Sequence, residues 1–113
     1  MCSKIILDKL LKETHGELTK IFGSKLEDVI LYGSYARGDQ DSESDIDVMA
    51  LVDTPKSELS KYRRTVSDMA NEIDLKYGVL LSVKLQDKFT FDKYSDALPY
   101  YKNVSKEGIR ISV

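Results

Sequence analysis

The chain has 113 residues, with 17 Lys and Arg against 19 Asp and Glu for a formal net charge of −2. That length suits a single domain, 1–113, with one core, and 42% hydrophobic with 32% charged residues excludes a wholly disordered chain. The balance offers no basic surplus for nucleic acid or an anionic membrane, and one cysteine (Cys2) with one histidine (His15) leaves carboxylates, hydroxyls, Lys and Arg to carry any chemistry.

No apolar run approaches the roughly 18 residues that cross a bilayer. Charge at Lys4 and Asp8 interrupts the N-terminus too soon for a signal-peptide core, which points to the cytoplasm. Ser3 is a cap for a first helix, in which Leu7, Leu10, Leu11, Leu18, Ile21 and Phe22 recur at helical spacing with Thr14 in the gap. Gly23-Ser24 ends it. Val29-Ile30-Leu31-Tyr32 is a short apolar run that stops at Gly33 and reads as a buried strand. Gly33-Ser34 opens a turn through Tyr35 and Ala36, and residues 38–44 read as a polar loop.

A second strand starts at Asp45 and runs to Val52, before Thr54-Pro55 breaks it. From Ser57 a long helix is expected, with Leu59, Tyr62, Val66, Met69, Ala70, Ile73 and Tyr77 as its stripe and Gly78 as its stop. Val79–Leu85 is the third strand. The tail carries a short helical or irregular segment around Tyr94 to Asn103 and a last strand at Ile109–Ile111. The expected architecture is α/β or α+β: a small mixed sheet flanked by helices, in two layers with the helices on one face.

The informative stretch is Gly33 to Asp47. Residues two apart in a strand share a face, so Asp45 and Asp47 project together with Cα atoms roughly 7 Å apart. Two like charges at that range repel, and a divalent cation between them reverses the sign; Mg²⁺ prefers hard oxygen ligands and keeps room for water and phosphates. The Gly33-Ser34 turn supplies the complement: close backbone approach, amide N–H groups and a hydroxyl for phosphate oxygens, with Arg37 as a further contact. A phosphate cradle beside a metal clamp suits transfer of a nucleotidyl group from a nucleoside triphosphate. The acids at 39, 41, 43, 45 and 47 also suggest a calcium loop, but that loop needs Gly where Ser44 stands and Glu where Ala50 stands.

Gly33-Ser34, ten residues, then Asp45-Ile46-Asp47 resembles the Gly-Ser-x10-Asp-x-Asp signature of the minimal nucleotidyltransferases, in the DNA polymerase β-like nucleotidyltransferase superfamily. The strand before Gly-Ser, Arg37-Gly38 and Ser44-Asp45 match too. The resemblance covers most of the chain and implies the nucleotidyltransferase fold, with Ser34 on the triphosphate, Asp45 and Asp47 on Mg²⁺, and ATP or another nucleoside triphosphate as substrate. Several members of that family pair with an all-helical HEPN protein, as antitoxins that attach adenylyl groups to the toxin. A HEPN tyrosine is thus an implied acceptor.

Active members of the family carry a third carboxylate on a later strand. Here alternation puts Val79, Leu81, Val83 and Leu85 on one face and Leu80, Ser82 and Lys84 on the other, so Ser82 stands where that acid is expected. Asp87 and Asp74 are the nearest substitutes along the chain. Two readings stay open: transfer with two carboxylates and a water or substrate group as base, or a nucleotide-binding antitoxin that acts by contact. Lys84 faces the triphosphate or solvent. Arg63 and Arg64 read as a solvated face, and His15 as solvated or partly packed. Leu98-Pro99-Tyr100-Tyr101 either closes the core or meets a partner. So small a domain leaves acceptor recognition to a partner chain or to oligomerisation.

Overall fold

A computed structural model describes residues 3–111, so Cys2 lies outside the described residues. Helix α1 (Lys4–Phe22) is capped by Ser3, whose Oγ accepts the Ile6 N–H at 3.2 Å. Thr14 interrupts the apolar stripe without breaking it: fully buried, its hydroxyl donates to Leu10 O at 2.8 Å. Strand β1 (Leu26–Tyr32) follows, then the single turn α2 (Ser34–Arg37) and strand β2 (Ile46–Val52).

The long helix expected from Ser57 is broken. It comprises α3 (Lys56–Leu59), a 3₁₀ turn over Ser60–Tyr62, and α4 (Arg63–Tyr77). The tighter turn coincides with a local bond in which Ser60 Oγ donates to Ser57 O at 3.5 Å. The stripe keeps its facing: Leu59, Val66, Met69, Ala70 and Ile73 are all buried.

Strand β3 is Leu81–Asp87, two residues later than the expected Val79–Leu85. Val79 is held in the α4 terminus by its N–H to Asp74 O, and Asp74 Oδ1 accepts the Leu81 N–H at 2.7 Å, so extended pairing starts only at Leu81. The tail is more regular than expected. Asp87 caps α5 (Lys88–Tyr94) through the Thr90 N–H at 2.8 Å, and Pro99 starts α6 (Pro99–Glu107). Strand β4 (Ile109–Arg110) closes the chain.

The sheet has the order β3-β2-β1-β4, with β1 antiparallel to both β2 and β4 and β3 parallel to β2. Helices α1 and α4 cover one face over Val29, Leu31, Ile46, Val48, Ala50 and Val52. The other face is covered as well, which corrects the two-layer expectation: Ile30, Met49 and Leu51 pack under Phe91 of α5 and Val104 of α6. The reason is legible in β2, where six of seven side chains are buried; a strand apolar on both sides needs two covers. Burying each such side chain contributes roughly 1.5–3 kcal/mol. Among the described residues, no helix is long and apolar enough to cross a membrane.

Candidate active site

Strand pairing builds the site as a row. Tyr32, the last residue of β1, lies opposite Asp47 of β2, and Ser82 of β3 lies opposite Asp47 on its other side. Neighbours in register share a face and stand about 4.8 Å apart. The row therefore sits on the α5–α6 face, at the edge of the apolar cluster that those helices cover.

The turn after Tyr32 brings the backbone against this row. Gly33 has φ +75°, and a Cβ there would lie 2.5 Å from Asp47 Oδ2, so only glycine lets the turn abut the carboxylate. Within the turn, Ala36 and Arg37 donate their N–H groups to Gly33 O, both at 3.1 Å, and Gly38 donates to Ser34 O at 2.9 Å. The Ser34 hydroxyl stays at the start of that turn, half-buried, where a phosphate oxygen would be met. The loop that returns the chain is itself organised. Asp41 Oδ1 accepts the Glu43 N–H at 2.9 Å, and the Asp41 N–H donates to Ser44 Oγ at 2.9 Å, which delivers Asp45 to the head of β2.

Asp45 is exposed and Asp47 is half-buried. Burial, then repulsion from Asp45, pushes the Asp47 carboxyl above the ordinary aspartate range; Lys84 and Arg37 pull against that shift without reversing it. The two carboxylates thus repel in the free protein, as the sequence implies. Their oxygens fit a hard divalent cation that takes its remaining ligands from phosphate and water. Among the described residues, no three His, Cys, Asp or Glu side chains converge as a metal site. Neither substitute acid supplies the third ligand. Asp74 is spent on the β3 backbone, and Asp87 lies opposite Val52, five positions and roughly 16 Å along the strand from Ser82.

Sequence reasoning under-read two tyrosines. Tyr100, from α6, donates its hydroxyl to Tyr32 Oη at 3.4 Å, with the rings edge-on at 6.2 Å. Burial, that hydrogen bond, and the charges of Tyr100 and Asp47 raise the Tyr32 phenol well above its ordinary range. Lys84 shares this face, its Nζ 5.8 Å from the Tyr100 ring centroid. The signals were weak. Tyr32 ends an apolar strand like any boundary residue, and Tyr100 is far from the motif in sequence.

The remaining candidates fall into place individually. Arg37 is exposed, with Nε 3.2 Å from Asp39 Oδ2 and Nη1 3.7 Å from Glu107 Oε2. Arg63 is exposed but lines a cavity of about 600 Å³ with Ser82, Lys84, Lys56, Tyr100 and Tyr101. His15 stays on α1, its ring 3.5 Å from Thr19 Oγ1. The Leu98–Tyr101 segment does two jobs: Tyr101 packs on Phe91 and Tyr94, while Tyr100 leans over the row.

A family model described as "Nucleotidyltransferase domain" matches residues 11–111. The chain is 36% identical over 93 residues to a Methanocaldococcus jannaschii protein named "Putative protein adenylyltransferase MJ0141", covering 82% of this chain and 92% of that one. It resembles the crystal structure of a "putative nucleotidyltransferase" from Sulfolobus solfataricus, with TM-score 0.66 and 25% identity over 94% of this chain and 79% of that one. A solved toxin–antitoxin structure with AMP-PNP shares the fold at TM-score 0.54 and 18% identity, covering 88% and 70% of the two chains.

Proposed function

The chain belongs to the nucleotidyltransferase domain family, and on that premise we propose that it moves an adenylyl group from ATP to a hydroxyl of a partner protein, with a tyrosine of a HEPN toxin as the acceptor and neutralisation of that toxin as the outcome. The observation that carries this reading is Asp47, two residues after Asp45, held against the bare Gly33 backbone, with the charges of Lys84 and Arg37 acting on its carboxyl. The name of the M. jannaschii relative, a protein adenylyltransferase, supports protein as the acceptor class.

In this reading Asp45 and Asp47 hold Mg²⁺, which when bound neutralises phosphate charge. Gly33 admits the phosphates closely, and the Ser34 hydroxyl donates to one of their oxygens. Arg37 exchanges its Asp39 and Glu107 contacts for phosphate. The acceptor oxygen attacks the α-phosphorus, pyrophosphate leaves, and with serine at position 82 the acceptor's proton passes to water or to a substrate group.

Ser82 favours a second reading, a nucleotide-binding antitoxin that neutralises its partner by contact alone. One experiment separates them. The protein is incubated with Mg²⁺, α-labelled ATP and the product of the neighbouring gene, tested as the HEPN-domain partner. Label on the partner that vanishes with Asp45→Ala/Asp47→Ala supports transfer. No label, with neutralisation intact in the double variant, supports contact alone.

A further inference from the structure

The Tyr100 hydroxyl stands in the site, and the proposed transfer to a partner leaves it without a role. Tyr100 lines two cavities at once. One, of about 220 Å³, also holds Tyr32, Gly33 and Arg37. The other, of about 600 Å³, also holds Ser82 and Lys84. Tyr32 and Ser82 are the two register partners of Asp47, so Tyr100 sits where the phosphate side and the third-strand side of the row meet. Its side chain is reachable, at 41% exposure.

We propose that Tyr100 is a self-modification site: when no acceptor protein is docked, its hydroxyl takes the adenylyl group from the nucleoside triphosphate bound in the same chain. This rests on the transfer reading of the site. The step is balanced without a further reactant. Tyr100 Oη forms a bond to the α-phosphorus, the bond from that phosphorus to the bridging oxygen breaks, pyrophosphate departs, and the phenolic proton is released to water. The product is an O-adenylyl tyrosine.

Neighbouring groups make Tyr100 the acceptor among the tyrosines here. The hydrogen bond from its hydroxyl to Tyr32, at 3.4 Å, is long for a hydroxyl pair and is given up cheaply. Tyr32 is half-buried in the sheet, behind Tyr100. Tyr101 also lines the larger cavity and its ring meets that of Tyr100 edge-on at 5.3 Å, but it is half-buried and packs on Phe91 and Tyr94, whereas Tyr100 alone lines both cavities. The step consumes the Tyr100 hydroxyl, so that tyrosine takes one group per chain.

The test uses the full chain alone with MgCl₂ and α-labelled ATP, read by intact mass and peptide mapping, beside a reaction that includes the HEPN-domain protein. Expected is one adenylyl group per chain, on Tyr100, at a rate per chain independent of protein concentration. Tyr100→Phe lowers self-labelling at least tenfold with an unchanged circular dichroism spectrum, whereas Tyr101→Phe keeps it. Labelling of the HEPN protein with none on this chain overturns the self-modification proposal and leaves the transfer reading standing. Self-labelling that persists in Tyr100→Phe also overturns it. No label on either protein overturns both.

Discussion

Gly33 and Asp47 are packed so closely that a single added methyl group at Gly33 would sit 2.5 Å from the Asp47 Oδ2 atom. Gly33 opens the turn after β1 and Asp47 is the second residue of β2, and the register that sets Tyr32 opposite Asp47 makes them neighbours. The Gly33-Ser34 turn and the Asp47 carboxylate are therefore one structural unit.

Gly33→Ala tests that unit. The substituted chain must hold φ +75° with a side chain, costing about 1–2 kcal/mol, and must push Asp47 aside. Adenylyl transfer should fall by about 100-fold or more. Gly38→Ala is the control: it has φ +79° but nothing within 4 Å of the added Cβ. It should show a smaller loss of stability in urea unfolding and keep most activity.

Asp47 is held at a cost in stability. Its carboxyl is raised in the fold, first by burial and then by Asp45, so folding favours the protonated form. The destabilisation is present at pH values above the folded pKa and disappears as pH falls below the ordinary aspartate value of about 3.9. Asp47→Asn should therefore raise the melting temperature at pH 7. The two proteins should converge near pH 3, and the variant should be inactive. Melting curves across pH check the sign.

Ser82→Asp would place a third carboxylate beside Asp47. Without metal, another like charge should lower the melting temperature. With Mg²⁺ the order should reverse, and the variant should bind the ion about tenfold more tightly. Melting temperature against Mg²⁺ concentration, with and without AMP-PNP, measures both halves.

Thr54 is buried, and its Oγ1 is one of two buried side-chain atoms without a partner among the described residues. Thr54→Val removes an unsatisfied group at nearly constant volume. It should stabilise by about 0.5–1 kcal/mol without affecting transfer. A urea midpoint that falls instead would show that the hydroxyl has a solvent partner.

The sequence by itself determined the parts whose physics is local. Gly33-Ser34 and Asp45-x-Asp47 announce their chemistry by residue type and spacing, and β2 and the α4 stripe follow from side-chain periods of two and 3.6. Alternation along β3 put Ser82 on its outward face, and the register then set it beside Asp47. Tertiary structure alone decided what depends on residues remote in sequence. Helices α5 and α6 carry few buried side chains, Phe91 and Val104, so their periodicity is faint until the second face of β2 supplies something to cover. Tyr100 meets Tyr32 across 68 positions, and no local pattern encodes that contact. The raised Asp47 carboxyl likewise needs the burial that the assembled sheet provides, against which the Lys84 charge pulls. Spacing along a chain specifies which side chains share a face, whereas a site's closure and its electrostatics arise from groups that only folding brings within a few ångströms.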